Sequence, residues 1–108
     1  MKKLSRREYL AIREYKRRIK DKFEDAEVVL FGSKARGEGD VYSDIDILVL
    51  LDRKVDNSVE EEIFDIGFEV ELKYDVVFGV VVYTKRFWDS VGKLLPLHEN
   101  IEREGVVI

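Results

Sequence analysis

The chain of 108 residues contains no cysteine, and it has one proline, one histidine, one methionine and one tryptophan. Without cysteine, disulfides and thiolate metal sites are excluded, and the chain is compatible with a reducing compartment. No hydrophobic run approaches the ~18 residues of a membrane span. "MKKL" has the start of a signal peptide, but "SRREYLAIREYKRRIK" follows in place of an apolar segment. A cytoplasmic protein is expected. Linkers, internal repeats and low-complexity tracts are also missing, and a chain this short builds one core, so residues 1–108 are read as a single domain.

Charge is plentiful. Asp, Glu, Lys and Arg make up 39% of the residues, against about 25% in an average soluble domain. The net charge is −4, with the signs segregated: ten of the 19 Lys and Arg precede residue 23, and the remainder of the chain is acidic. A basic helix face of this kind suits water, RNA or an acidic partner, and a solvated face is the preferred reading. Nothing else in the sequence supports RNA.

Periodicity divides the chain into elements. Ser5-Arg6-Arg7-Glu8 has capping-box spacing, and Leu4, Tyr9, Ile12, Tyr15, Ile19 and Phe23 recur at helical intervals, which predicts a helix over Ser5–Lys22. Short apolar runs at Ala26–Phe31 and Ile45–Leu51 read as buried strands. A second capping-box spacing, Ser58-Val59-Glu60-Glu61, with the stripe Val59, Ile63, Ile66, Val70 and Tyr74, predicts a helix over Ser58–Tyr74. "VVFGVVVYT", Val76–Thr84, reads as a third strand with Gly79 as a bulge. A short helix carrying Phe87 and Trp88 follows, and Pro96 opens a last helix closed by Gly105. The fold class expected is α+β, a small mixed β-sheet with helices packed mainly on one face.

Between the first two strands lies "GSKARGEGDVYSDID", Gly32 to Asp46. Asp44 and Asp46 stand two apart at a strand start, so they leave one face with Cα atoms about 6.6–6.8 Å apart. That spacing suits joint ligation of Mg²⁺, which takes a few carboxylates and completes its octahedron with water and phosphate oxygens. Gly32 lets backbone approach an anion closely, and Ser33 adds a hydroxyl beside its N–H. Lys34 and Arg36 bring positive charge for a polyphosphate. If the strands are neighbours, phosphate grip and metal face one pocket, the layout of phosphoryl or nucleotidyl transfer.

Gly32-Ser33, ten residues, then Asp44-x-Asp46 resembles the signature of nucleotidyltransferases of the DNA polymerase β superfamily. The longer "GSKARGEGDVYSDIDILV" is similar to its minimal nucleotidyltransferase (MNT) branch, and "NIEREGVVI" to the tail of many MNT domains. The resemblance, which spans most of the chain, implies a polymerase β palm-like fold and transfer of a nucleoside monophosphate, usually AMP, from an Mg²⁺-bound triphosphate. It implies that Gly32 and Ser33 contact the β- and γ-phosphates, that Asp44 and Asp46 ligate the metal and carry catalysis, and that Arg36 contributes to nucleotide binding. It also implies a helical HEPN protein as partner, with the chain as antitoxin to an RNase toxin.

One departure stands out. Competent members usually add a third carboxylate from the next strand, and Val76–Thr84 holds none. Asp75 is the best substitute, ahead of Glu69 and Glu71. A second hypothesis therefore stays open, a nucleotide-binding module that neutralises its partner by direct contact with little catalysis. Larger relatives also carry a helical domain that this chain cannot form, so another chain, a partner or a second copy, would complete the pocket. Asp-x-Asp also occurs in haloacid-dehalogenase-like phosphatases, but there it follows the apolar strand and here it precedes it. His98 is read as a surface or interface residue, and Phe78, Tyr83, Phe87 and Trp88 as core.

Overall fold

The structure, a computed structural model, describes residues 4–38 and 43–108. The expectations that fall on 1–3 and on 39–42 of the polar stretch lie outside the described residues. Helix α1 spans Arg6–Lys22, β1 Glu27–Phe31, α2 Gly32–Arg36, β2 Ile45–Leu51 and α3 Asn57–Tyr74. Strand β3 spans Phe78–Thr84, α4 Lys85–Trp88, a 3₁₀ turn Val91–Leu94, α5 Pro96–Glu104 and β4 Val106–Val107. This is α+β architecture around one four-stranded sheet of order β3-β2-β1-β4.

Helix α1 begins as the spacing predicts. Ser5 Oγ accepts a hydrogen bond from the Glu8 N–H (3.1 Å), and Glu8 Oε1 accepts one from the Ser5 N–H (2.9 Å). Ala11, Ile12, Tyr15 and Ile19 form its buried face, whereas Tyr9 lies outside that stripe and is exposed. Helix α3 is capped two residues earlier than the second capping box suggests. Asp56 is its N-cap, and its carboxylate accepts from the Val59 N–H (2.9 Å). With Asp56 as cap, Ser58 falls inside the first turn, and the aspartate also meets the positive end of the helix dipole.

Strand β1 pairs antiparallel with β2 and with β4, while β2 and β3 are parallel. Parallel neighbours need a crossover, and α3 supplies it. Strand β2 is central and apolar, buried everywhere except at Asp46. Because side chains alternate along a strand, β2 serves two cores. Ile45, Ile47, Val49 and Leu51 pack with α1 and α3, and Leu48 and Leu50 pack with Trp88 of α4 and Ile101 of α5. The two long helices thus cover one face, and the short helices cover part of the other.

The basic helix finds its counterpart within the molecule. Lys22 pairs with Glu62 (3.4 Å), Arg18 with Glu69, and Lys73 of α3 with Glu14 of α1 (2.8 Å). Exposed pairs of this kind contribute roughly 0–1 kcal/mol each, so they set the register of α1 on α3 more than they stabilise it. Deeper down, the Tyr15 hydroxyl donates to the Ile63 carbonyl (3.0 Å), and its ring stacks on Phe78 at 4.9 Å between centroids.

Candidate active site

The site sits where β1 ends. Its last residue, Phe31, lies in register with Asp46 of β2, and Asp46 lies in register with Gly79 of β3. Instead of trailing into a loop, the chain turns at Gly32 into the five-residue helix α2. This helix is absent from the periodicity because one and a half turns carry no repeating stripe.

Gly32 adopts a left-handed φ of 75°. It is also crowded, since a Cβ there would run into Asp46 Oδ2 and stand 3.1 Å from Asp46 Cγ. Gly79 does the same from the other side, where a Cβ would stand 2.8 Å from Asp46 Oδ1. Gly79 is therefore a regular ladder residue and not a bulge. One carboxylate is held between two glycines, Gly32 at the head of α2 and Gly79 on β3, neither of which has a side chain to displace it.

Asp46 belongs to the sheet face that bears Val29, Leu48, Leu50 and α5, while the neighbouring Ile45 is buried on the opposite face. Asp44, just before the strand, is exposed. Burial holds the Asp46 carboxyl above its ordinary pKa, the negative charge of Asp44 raises it further, and the Arg36 guanidinium acts in the opposite sense. Repulsion between two adjacent acids is what a divalent cation relieves.

Gly32 and Ser33 open α2, so their N–H groups fall among those that a helix leaves without an internal acceptor. The cap residue Phe31 has no side-chain oxygen to offer them. Arg36 closes α2 and is engaged on the protein side, with Nη1 2.9 Å from Glu104 Oε1 of α5 and Nε 3.3 Å from a Glu38 oxygen. Lys34 differs from the sequence expectation. Its side chain is 1% exposed and its ammonium pairs with Glu8 Oε2 of α1 at 2.6 Å, so it ties α2 to α1 and does not project toward a polyphosphate.

The substitutes for a third acid are dispersed. Glu69 pairs with Arg18, and Glu71 accepts from the Phe78 N–H (2.7 Å). Asp75 is the left-handed C-cap of α3, with φ 55°. It lines a cavity of about 440 Å³ with Arg7, Glu8, Ser43, Ile45, Val76 and Val77, beside the strand end that carries the aspartates, yet neither aspartate lines that cavity. Among the described residues no third Asp, Glu, His or Cys joins Asp44 and Asp46 in a metal-binding group. His98, expected at the surface or at an interface, is buried within the chain against Trp88, with ring centroids 4.5 Å apart. Trp88 is core, and Tyr83 stacks on it at 5.8 Å between centroids.

The sequence model of the nucleotidyltransferase domain matches residues 12–107. The chain belongs to that family. Two proteins of Methanocaldococcus jannaschii, each named "putative protein adenylyltransferase", are similar along nearly their whole length. One is 37% identical over 101 residues, covering 90% of this chain and 94% of the relative, and the other is 32% identical over 100 residues, covering 91% and 94%. The fold is shared with a solved structure described as a toxin-antitoxin with AMP-PNP. The TM-score is 0.65 at 21% identity, covering 89% of this chain and 70% of that one.

The family assignment and the α+β fold agree with the sequence reading, and no helix among the described residues is long and apolar enough to cross a membrane.

Proposed function

We propose that the protein is an Mg²⁺-dependent nucleotidyltransferase that moves AMP from ATP to a hydroxyl of a protein acceptor. The observation that carries this reading is the contact of Gly32 with Asp46, which joins the head of α2 to the acid pair at one corner. Gly32 and Ser33 would hold the β- and γ-phosphates through N–H groups, with Arg36 at the far end of α2. Asp44 and Asp46 would hold Mg²⁺, which supplies positive charge against the charge that develops on the phosphoryl oxygens. The acceptor oxygen bonds to the α-phosphorus and releases its proton to solvent, the bond from the α-phosphorus to the bridging oxygen breaks, and pyrophosphate leaves with the electron pair. The names of the two relatives and the AMP-PNP of the structural neighbour favour an adenine nucleotide.

The toxin-antitoxin description of that neighbour supports the further proposal of a helical HEPN-type toxin as partner and acceptor. A cytoplasmic setting belongs to the same proposal. The second reading, a nucleotide-binding module that blocks its partner by contact, is favoured by Gly79, which stands where β3 would present an acid to Asp46.

Labelled ATP and Mg²⁺ test both. The protein is incubated alone and with the product of its neighbouring gene, and pyrophosphate and labelled protein are measured. Transfer that disappears in the Asp44→Asn/Asp46→Asn variant supports the enzyme. Label that survives the double change removes these residues from the mechanism, and metal-dependent ATP binding without turnover supports the blocking module.

A further inference from the structure

Helix α3 carries a second face that the nucleotide site does not use. Phe64, Phe68 and Leu72 follow one another at i, i+4 and i+8, and they are 43%, 54% and 72% exposed. Three large apolar side chains in one row are not a scatter of surface hydrophobes. Phe64 and Phe68 also wall a groove of about 510 Å³, which Gly67, Phe78 and Val80 complete. The groove opens along β3, an edge strand of sequence FGVVVYT with neither charge nor proline. Such an edge is ordinarily guarded by charge, proline or a covering element.

The adjoining row of α3 is acidic. Glu61, Asp65 and Glu69 run beside the apolar row at the same four-residue spacing. Glu69 is paired with Arg18, whereas Glu61 and Asp65 make no ion pair among the described residues and are exposed. Asp65 stands on the groove wall. Glu71, which also lines the groove, accepts from the Phe78 N–H.

We infer that this face docks an amphipathic helix of another protein, one with an apolar row for Phe64, Phe68 and Leu72 and a Lys/Arg row for Glu61 and Asp65. The charge pattern selects that occupant over a second copy. An antiparallel two-fold pairing of α3 sets the Glu61 and Asp65 row against itself, and like charges in contact are unfavourable. Phe64 and Phe68 each offer the large, stiff contact area that anchors helix-in-groove binding. The inference does not depend on nucleotidyl transfer, and its test uses no nucleotide.

The probe is a labelled synthetic amphipathic helix with a leucine row flanked by lysines, compared with the same peptide carrying glutamates in place of lysines. Fluorescence anisotropy at low salt should show the lysine peptide binding about tenfold tighter or more. Phe68→Ser should lose about tenfold in affinity for it, with an unchanged circular dichroism spectrum. Asp65→Lys, which leaves the apolar row intact, should shift preference toward the glutamate peptide. Equal binding of the two peptides, or wild-type affinity in both variants, overturns the inference. So does light scattering that shows a dimer of the chain alone which Phe68→Ser converts to monomer, because the face is then occupied by its own copy.

Discussion

Glu8 of α1 and Lys34 of α2 form an ion pair at 2.6 Å, with side chains 7% and 1% exposed. Their attraction is bought with desolvation, so the pair fixes position more than it adds stability. What it fixes is the helix that begins with Gly32 and Ser33. The same Glu8 closes the capping box of α1, so one carboxylate connects the start of the first helix to the candidate phosphate corner.

Breaking that pair from either side should be costly. Glu8→Gln keeps the capping hydrogen bond but takes the negative charge away from the Lys34 ammonium, and Lys34→Met takes the ammonium away from the Glu8 carboxylate. Each single change should destabilise by about 3–5 kcal/mol in chemical denaturation. The double variant should be more stable than either single one, since it removes both buried charges together. Additive losses in the double variant would show that the two side chains do not act as a pair.

Gly32→Ala combines two penalties. A left-handed backbone costs a non-glycine residue about 1–2 kcal/mol, and the added methyl pushes on the Asp46 carboxylate. Thermal unfolding should shift downward and ATP affinity, measured by calorimetry, should fall. Unchanged values on both would contradict the close approach of Gly32 to Asp46.

Asp46 should make stability depend on pH in a defined direction. Its folded-state pKa is raised from 3.8 by burial and by Asp44, so the folded protein binds this proton more tightly than the unfolded chain does. The stabilisation is full below the unfolded value and is lost as pH rises through the folded one. At neutral pH the ionised pair is a liability. Asp46→Asn should therefore raise the melting temperature of the metal-free protein there, with a benefit that shrinks in acid. Mg²⁺ should stabilise the wild type and leave Asp46→Asn unaffected; an equal response to the metal in both would exclude this carboxylate as a ligand.

Arg36 is held by Glu104 and Glu38, which compete with any phosphate for its guanidinium. Glu104→Gln should raise ATP affinity and Arg36→Ala should lower it. Arg36→Ala should alter stability little, because its guanidinium is solvent-exposed and water screens its ion pairs. Opposite signs in the binding isotherms of the two variants are the diagnostic result.

The sequence discloses what is local and hides what is distant. The Ser5–Glu8 box, the strands around Leu30 and Leu48, and the Asp44–Asp46 spacing are set by neighbours in the chain, and all can be read without coordinates. The lysine at 34 reads as a phosphate ligand because its partner, Glu8, lies on a different helix. Gly79 reads as a bulge because its true cause, the Asp46 side chain, sits on another strand. Ser58 reads as a cap since nothing in a capping pattern says that Asp56 reaches the helix first. His98 reads as a surface or interface residue because a single polar residue in a short helix gives no sign that Trp88 will cover it. The α2 turn is too brief to leave a periodic trace, though the glycine that starts it is a visible clue to a left-handed backbone.

The glycine at position 79 also constrains anyone who would redesign the chemistry. The natural seat for an extra acid on β3 is the rung opposite Asp46, and the space there is already occupied by that carboxylate. An engineered Gly79→Asp would have to displace the residue it was meant to assist. A gain of catalytic power is better sought at the exposed rim, or from a group that a neighbouring protein brings with it.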